Sequence, residues 1–312
     1  MSKMMATRDG YGKALVELGK ENENVVVLDA DLSKSTKTAG FGEAYPERFF
    51  NAGVAEQNLI GLAAGLSTTG KIPFASSFAM FATGRAFEII RNSIGYPQLN
   101  VKVCATHAGI TVGEDGASHQ ALEDIACMRT IPNMTVIVPA DGVEAMNAVK
   151  KIAEYQGPVY LRLGRLAVPV INDHESYNFE IGKGITLKEG GDITIIATGL
   201  MVHEALKAAE SLEEKGVEAR VLNLHTIKPI DRDLIIKAAE ETGSVITAEE
   251  HNIIGGLGSA VAEVLSENMP VPLKRIGVED TFGESGKPAE LLEKYGLTHD
   301  KIFKTAIEML AR

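Results

Sequence analysis

The chain has 312 residues, a formal net charge of −11 and an apolar fraction of 45%. This length predicts two domains of about 100 to 200 residues each, and the apolar content suffices for substantial buried cores. The acidic charge argues against nucleic acid as the main partner, because phosphate backbones bind basic surfaces. The acidic net charge is still compatible with a local basic pocket for one small phosphate.

The N-terminal residues and the two cysteines indicate a cellular compartment. The first residues lack the continuous apolar core of a signal peptide, and no stretch approaches the roughly 18 apolar residues of a membrane span. Cys104 and Cys127 lie in apolar runs without metal-ligand spacing, and we interpret both as reduced core residues rather than redox groups. We therefore expect a cytoplasmic protein without a membrane partner.

Strands and helices alternate along the first half of the chain. The predicted strands are 25–31, 49–53, 71–77, 101–106, 135–139 and 158–163. The predicted helices are 7–20, 56–67, 81–94, 121–128 and 142–155. This alternation is typical of an α/β domain with a mainly parallel sheet. Ligands gather at the carboxyl ends of such strands, where Asp31, Ser77, His107 and Arg165 fall, so we expect one shared site there.

A second α/β pattern follows a polar, turn-forming stretch that we interpret as a linker or hairpin. Its predicted strands are 193–197, 219–224, 244–249 and 271–278, and its predicted helices are 202–215, 232–242, 257–266 and the final helices up to residue 312. The sequence thus predicts a first domain at 1–170, a linker at 171–190 and a second domain at 191–312. Each domain should contain a mainly parallel sheet flanked by helices.

Side chains suited to catalysis concentrate between residues 51 and 120. They are Glu56, His107, Glu114, Asp115 and His119. Each also has a plain structural interpretation: the glutamate could stabilise a helix N-terminus, each histidine could be a satisfied polar residue, and the acid pair could be a solvated turn. Their grouping at strand ends, in a loop with Gly109, Gly113 and Gly116 where backbone can approach a ligand closely, favours a site.

A glycine-rich stretch in the second half, Gly255-Gly256-Leu-Gly258, invites comparison with a dinucleotide-binding loop. The full fingerprint is missing, and no ribose-binding acid follows at the expected distance. We therefore predict a tight turn that leads into a helix.

Several longer motifs resemble transketolase. They are Gly53-Val-Ala-Glu56-Gln57, Ser77-Phe78-Ala-Met-Phe81, the run from His107 through Gly113-Glu114-Asp115-Gly116-Ala-Ser-His119-Gln120, Arg129-Thr-Ile-Pro132-Asn133 and Pro139-Ala140-Asp141. The resemblance covers nearly the whole chain and is to the C-terminal half of the family, the pyrimidine-binding domain plus the C-terminal domain. It implies thiamine diphosphate as cofactor and transfer of a two-carbon ketol unit from a ketose phosphate to an aldose phosphate.

The resemblance also implies roles for the residues that match the motifs. Glu56 would contact the aminopyrimidine ring of the cofactor, where a partly desolvated carboxyl group can hold or share a proton. Phe78 and Phe81 would form walls of the pyrimidine pocket. His107 and His119 would act with Glu56 in catalysis by donating hydrogen bonds to the reacting oxygens.

The substrate would be held by these histidines and by further polar residues. By the resemblance, Asp115 would accept a hydrogen bond from a substrate hydroxyl, and Arg8, Ser35 and Arg165 would bind the sugar phosphate. No residue of this chain is assigned to a metal. Two positions depart from the family pattern: Gly84 stands where many transketolases have a tyrosine, and Ala108 stands where an aspartate is common. These departures affect one wall of the pocket and the finer substrate contacts.

The family's N-terminal domain has a diphosphate-binding motif that does not occur in this sequence. In that domain a Gly-Asp-Gly and Asn motif holds the diphosphate through Mg²⁺. Without such a site, this chain would compensate the negative charge of a diphosphate poorly. The resemblance therefore implies a split enzyme with an α2β2 assembly. In it, Mg²⁺ and the diphosphate group are bound mainly by an N-terminal transketolase subunit.

Three alternatives to this interpretation differ in chemistry. A relative of 1-deoxy-xylulose-5-phosphate synthase shares the Asp-Gly-x-x-His-Gln run, and the β subunit of a 2-oxo acid dehydrogenase would use the same cofactor. The set of His107, Asp115 and His119 with the phosphate-binding candidates favours ketol transfer over both. A non-catalytic binding or regulatory partner is disfavoured because it would need neither Glu56 nor the two histidines.

Overall fold

The computed structural model describes residues 3–172 and 177–311. These residues form two α/β units, each built on a mainly parallel sheet flanked by helices. This arrangement confirms the predicted fold class.

Strands and helices are numbered separately along the chain. The strands are β1 (Met4–Ala6), β2 (Val25–Asp29), β3 (Phe49–Asn51), β4 (Ile72–Phe78), β5 (Lys102–Thr106), β6 (Thr135–Ile137), β7 (Val159–Arg162), β8 (Ala167–Pro169), β9 (Ile185–Lys188), β10 (Ile193–Ala197), β11 (Ala219–Asn223), β12 (Thr226–Lys228), β13 (Val245–Asn252) and β14 (Leu273–Val278). The α-helices are α1 (Thr7–Glu21), α2 (Ser33–Thr36), α3 (Ala39–Ala44), α4 (Glu56–Ser67), α5 (Phe87–Ile89), α6 (Asp124–Thr130), α7 (Gly142–Glu154), α8 (Met201–Glu213), α9 (Arg232–Thr242), α10 (Leu257–Asn268), α11 (Pro288–Lys294) and α12 (His299–Leu310).

The first sheet has seven strands in the order β12-β6-β7-β5-β4-β2-β3. All neighbours in it are parallel except β12, which pairs antiparallel with β6. Strands β2, β4, β5 and β7 are buried along almost their whole length, because helices cover both faces of the sheet. Their carboxyl ends lie at one edge, where the loops that carry the candidate residues begin.

Helices α1 and α7 pack together on one face of this sheet. Tyr11 and Leu15 on α1 are fully buried in the same core as Val149 and Ile152 on α7. The crossing is close, since a Cβ atom added at Gly10 would lie 2.1 Å from the carbonyl oxygen of residue 142. A glycine is therefore required where the two helices meet, and the contact fixes the start of α1, which carries Arg8.

Two predicted helices differ from the structure. The segment predicted as a helix over 81–94 is the short helix α5 between two π-helical turns, Phe81–Arg85 and Ile90–Gly95. The helix predicted from residue 121 begins at Asp124, because Ala121 instead forms a β-bridge with Ala108. The bridge between Ala108 and Ala121 is a contact between two ends of one loop, which local periodicity does not report.

The second sheet has the order β14-β13-β10-β11-β9, with only β9 antiparallel to its neighbour among the described strands. Strand β9 lies within the predicted linker, and β12 of the second half completes the first sheet. The division at 1–170, 171–190 and 191–312 therefore stays a prediction. Across the described ranges, none of the helices combines the length and the apolar character needed to cross a bilayer.

Candidate active site

Glu56 is the first residue of α4, and its side chain is only 3% exposed. The hydroxyl of Ser77, near the end of β4, donates a 3.4 Å hydrogen bond to Oε1, and Nη1 of Arg85 lies 3.2 Å from Oε2. The guanidinium of Arg85 also lies over the Phe81 ring, 4.3 Å from its centroid. The carboxyl group is thus buried on one side and reached by a flat cation on the other.

Aromatic rings continue from this carboxyl group across the carboxyl edge of the sheet. Phe78 stacks nearly parallel on Phe81 with centroids 5.9 Å apart, and on the imidazole of His107 with centroids 3.8 Å apart. The ring of His119 stands edge-on to Phe81 at 5.1 Å and to Phe78 at 6.3 Å. The rings of Phe78, Phe81, His107 and His119 therefore pack together, and we call them the aromatic wall.

His107 follows β5 directly and has a positive φ of 57°. Nε2 lies 3.2 Å from Nη1 of Arg8, and Nδ1 lies 2.9 Å from Oγ1 of Thr106. Because arginine can only donate, Nε2 accepts, and Nδ1–H donates to Thr106. Burial, with further contributions from Arg8 and Arg165, lowers the pKa of His107 to about 3. The imidazole is therefore neutral near pH 7, and donation from Nε2 would require the other tautomer.

Arg8 and Arg165 form a cationic patch beside His107. Burial lowers the pKa of Arg8, and the charge of Arg165 contributes in the same direction. Nη1 of Arg8 donates 2.9 Å to the carbonyl oxygen of Ser35, and within the described part of the chain its buried Nε finds no acceptor. Nearby, Lys37 pairs with Asp9 at 3.1 Å. A half-buried guanidinium whose buried Nε–H has no acceptor among the described residues is suited to an anion.

The loop with Ser35 is held by a carboxylate at the end of β2. Asp29 is fully buried and accepts hydrogen bonds from the hydroxyls of Thr36 and Thr38 at 2.6 and 2.9 Å and from the backbone of Leu32. Burial raises the pKa of Asp29 despite these three bonds. Asp29 consequently anchors the hydroxyl-rich loop to the end of β2. In this loop the backbone carbonyl oxygen of Ser35, rather than its hydroxyl, contacts Arg8.

Arg165 links the cationic patch to the loop that contains Asp115. Its Nη1 donates to the carbonyl oxygen of Val112 and lies 3.8 Å from carboxylate oxygens of both Glu114 and Asp115. The loop forms a 3₁₀ turn over Ile110–Asp115 and needs positive φ values of 84° and 76° at its two later glycines. These conformations are open to glycine at little cost, which accounts for the glycine content of the loop.

The structure therefore gathers the predicted site residues along one edge of the first sheet. Arg85 contacts both Glu56 and Phe81 of the aromatic wall, and His107 of the same wall contacts Arg8. Arg165 brings Asp115 to the same edge. Their catalytic and binding roles stay predictions. Asp31, also predicted at this edge, accepts instead a hydrogen bond from Asn51 at 2.9 Å.

Two contributors to the site escaped sequence reasoning. Arg85 lies in a segment predicted as a regular helix, so nothing in the pattern directed its side chain toward Glu56. Glu250, which lies on β13 of the second sheet, accepts a hydrogen bond from the backbone of Thr111 at 2.7 Å. The only signal for it was a pair of acids near the end of a buried strand.

The surroundings of Glu56 fit the aminopyrimidine of thiamine diphosphate. An open cavity of about 470 Å³ is lined by Val54, Ala55, Glu56, Gln57, Asn58 and Arg85. The Arg85 guanidinium shows that a flat nitrogen-bearing group can lie on Phe81 while it approaches the carboxylate. At Gly84 there is no side chain to narrow this space, although a Cβ there would lie 2.9 Å from Cε of Met80.

Two other kinds of site have less support. Within 3–172 and 177–311, the acidic, histidine and cysteine side chains form no cluster of three or more that could hold a metal ion. At the glycine-rich stretch before α10, the Glu249 carboxylate accepts hydrogen bonds from the backbone of Leu257 at 2.7 Å and Gly258 at 2.8 Å. The chain's own carboxylate thus fills the helix N-terminus that a dinucleotide phosphate would need.

Comparison with known proteins gives consistent matches over the chain. Residues 3–170 match the family described as transketolase, pyrimidine binding domain, and residues 182–302 match transketolase, C-terminal domain. A Methanocaldococcus jannaschii protein, provisionally named a transketolase C-terminal section, is 59% identical over 98% of this chain and 96% of its own. A 6-deoxy-6-sulfo-D-fructose transketolase subunit of Clostridium sp. is 47% identical over 98% of this chain and 94% of its own. A solved structure described as a split-gene transketolase, an inactive β4 tetramer, is 61% identical, covers 98% of this chain and 99% of its own, and has a TM-score of 0.92.

Proposed function

The chain belongs to the transketolase family, and we propose that it is the C-terminal subunit of a split transketolase that transfers a two-carbon ketol unit between sugar phosphates. The observation that carries this proposal is the continuous edge that runs from the buried Glu56 carboxyl group, through the aromatic wall, to the cationic patch of Arg8 and Arg165. A thiamine-dependent ketol transfer needs these three features side by side.

Thiamine diphosphate is the cofactor that the family implies, and when bound it would supply the carbon that accepts and releases the two-carbon unit. Glu56 would exchange a proton with the pyrimidine nitrogen, since its carboxyl group lies at the cavity with Ser77 and Arg85 as its hydrogen-bonding side chains among the described residues. Phe78 and Phe81 would hold the ring by stacking. This chain therefore provides the pyrimidine side of the site.

His107 and His119 would bind the reacting oxygens of the sugar. Their rings lie in the aromatic wall, which keeps them in fixed orientations and excludes water from one side. The tautomer of a neutral His107 decides whether its Nε2 donates or accepts a hydrogen bond. Asp115, paired with Arg165, would accept a hydrogen bond from a sugar hydroxyl.

Arg8 and Arg165 would bind the phosphate of the sugar. The Nε–H of Arg8, which has no acceptor among the described residues, and the nearness of both guanidiniums to His107 support this role. A phosphate gains charge-assisted hydrogen bonds from two such forks. The identity of ketose and aldose is a separate matter, since one related subunit is named for a sulfonated sugar.

A partner subunit is part of the proposal. Relatives of almost the same extent are named as a section or a subunit of transketolase, and a similar chain is described as inactive when assembled as a tetramer of β subunits. We infer that an N-terminal subunit provides the sites for Mg²⁺ and for the diphosphate group, and that the active form is an α2β2 assembly in the cytoplasm.

The test is to recover the tagged chain from an extract of its own source and to assay it with thiamine diphosphate and Mg²⁺. Two-carbon transfer from xylulose 5-phosphate to ribose 5-phosphate is expected only when a second chain co-elutes. Co-elution without ketol transfer would redirect the assignment to 2-oxo acid or deoxyxylulose chemistry. Absence of both partner and activity would favour a binding protein.

A further inference from the structure

The second domain covers the outer side of the loop between His107 and Gln120. The side-chain amide of Gln120 donates to the carbonyl oxygen of Glu284 at 3.0 Å. A Cβ added at Gly113 would lie 3.3 Å from Pro288, and one added at Gly116 would lie 2.5 Å from Oγ of Ser285. The loop is thus enclosed between the first sheet and residues of the second domain.

Glu250 makes the deepest of these contacts. Its side chain is buried, and Oε1 accepts the 2.7 Å hydrogen bond from the backbone N–H of Thr111. A Cβ added at Gly109 would lie 2.2 Å from the carboxyl carbon of Glu250, so the carboxyl group rests directly against the loop backbone. It therefore holds the loop both by a hydrogen bond and by packing.

A buried ion pair fixes the strand that carries Glu250. Nη2 of Arg162 on β7 donates 2.9 Å to the backbone carbonyl oxygen of Glu250. The same guanidinium binds both carboxylate oxygens of Asp124, at 2.7 and 3.2 Å, and Tyr160 also donates to Asp124. Because Arg162 and Asp124 belong to the first domain, Glu250 is anchored against the sheet from which the loop emerges.

The loop in turn holds the phosphate-binding candidate. Thr111 is followed by Val112, whose carbonyl oxygen accepts the hydrogen bond from Arg165. We propose that Glu250 is a positioning residue that, through Thr111 and Gly109, sets the place of Arg165 and Asp115 for substrate binding, an inference that rests on the proposed function. The second domain thereby takes part in substrate binding without touching the substrate.

The protonation of Glu250 gives this role a pH dependence. Burial raises the pKa of Glu250 to about 7, while Arg162 and the hydrogen bond from Thr111 act in the opposite direction and Asp124 acts with burial. On its own strand, Glu249 and His251 are the neighbouring ionisable groups. Because burial disfavours the charged form, ionisation of Glu250 favours opening of the loop to solvent, so the loop should be held less tightly above pH 7 than below it.

The first test is hydrogen exchange measured by mass spectrometry on the full chain without its partner. In Glu250→Ala, the amides of 109–112 should exchange about tenfold faster, since one buried hydrogen bond of ordinary strength is lost. Glu250→Gln should restore protection because its amide oxygen can accept the same bond. Glu144→Gln is the matched control, another buried carboxyl group with a raised pKa, which accepts hydrogen bonds from Ala140, Tyr177 and Asn223 rather than from this loop.

Two comparisons keep the test decisive. If Glu250→Ala does not fold, Glu250→Asp, whose shorter side chain should not reach Thr111, takes its place. In the wild-type chain, protection of Thr111 relative to Glu250→Gln should fall as the pH rises through 7, because ionisation of the buried carboxyl group favours loop opening. The proposal would be overturned if Thr111 were equally protected in wild type, in Glu250→Gln and in whichever of Glu250→Ala and Glu250→Asp folds. A ratio of wild-type to Glu250→Gln protection that does not change with pH would also overturn it.

The second test is steady-state kinetics of the assembled enzyme. Glu250→Ala or Glu250→Asp should raise the KM for the sugar phosphate about tenfold or more, with a smaller effect on kcat, because Arg165 and Asp115 are displaced. Glu250→Gln should rescue most of the KM. A fall in kcat alone would overturn the positioning role. If the wild-type assembly shows no ketol transfer, the proposed function fails, and hydrogen exchange still decides the role of Glu250.

Discussion

Replacement of Glu56 by glutamine should abolish turnover while it leaves the fold and the assembly intact. The substitution keeps the shape of the side chain and removes its ability to hold a proton at the pyrimidine nitrogen. Loss of a positioned acid or base costs about 10²- to 10⁴-fold in rate, equivalent to about 3 to 5 kcal/mol in activation free energy. The effect on stability should be small by comparison.

The expected change in stability is small because the two polar contacts of Glu56 are weak. The ion-pair partner of Glu56 is Arg85, whose side chain is 54% exposed. Its charge therefore stays hydrated when the carboxylate is replaced, and the loss should be close to the roughly 0 to 1 kcal/mol of a solvated ion pair. The hydrogen bond from Ser77 is long at 3.4 Å, and glutamine retains an acceptor for it. The free energy of unfolding should therefore change by less than about 1 kcal/mol.

The assay compares wild type, Glu56→Gln and Glu47→Gln in the reconstituted assembly. Glu47 is a matched control because its carboxylate is largely exposed and pairs only with the neighbouring Arg48 among the described residues. Two-carbon transfer, size-exclusion chromatography and denaturant unfolding would be measured on each. Turnover by Glu56→Gln within a few-fold of wild type would refute the assignment of this carboxyl group. Loss of assembly in the variant would contradict the predicted small effect on stability.

Three further predictions concern binding and stability. Arg8→Gln and Arg165→Gln should each raise the KM for phosphorylated sugars about tenfold or more, through loss of a charge-assisted bond worth about 1.5 to 3 kcal/mol; equal losses with an unphosphorylated acceptor would contradict this. Burial raises the pKa of Glu144 to about 7, so its stabilising contribution is full below the unfolded value near 4.5 and is lost as the pH rises through 7. Glu144→Gln should accordingly weaken the pH dependence of the free energy of unfolding between about pH 5 and 7.5, and an unchanged slope in denaturant titrations would count against it. Asp124→Ala leaves the buried charge of Arg162 unpaired and should lower the free energy of unfolding by about 3 to 5 kcal/mol, whereas a loss below about 1 kcal/mol would show that water compensates the charge.

The parts of the site that sequence reasoning could predict are those fixed by local patterns. A buried strand is recognisable from its apolar run, and a parallel sheet places the ends of its strands together. That logic alone brought His107 and Arg165 to one edge, and the structure places both there. The resemblance to transketolase then supplied Glu56, Phe78 and Phe81 as members of the same site.

The parts that could not be predicted depend on contacts between distant segments. The π-helical turn at Phe81–Arg85 turns Arg85 toward Glu56, and no helical periodicity encodes such a turn. Strand β12 joins the first sheet although it belongs to the second half of the chain. The carboxyl group of Glu250 meets a loop that precedes it by about 140 residues. Local propensity contains no information about which distant partner satisfies a buried group.

These distant contacts connect the second domain to the candidate site. The second half of the chain supplies β12 to the first sheet and Glu250 to the loop that follows β5. Arg162 binds Asp124 in its own domain and the backbone of Glu250 in the other, so its burial depends on both domains. A buried ion pair is tolerated only when its remaining donors are satisfied. The two domains therefore form one framework for the site, and the position of the loop follows from how they pack together.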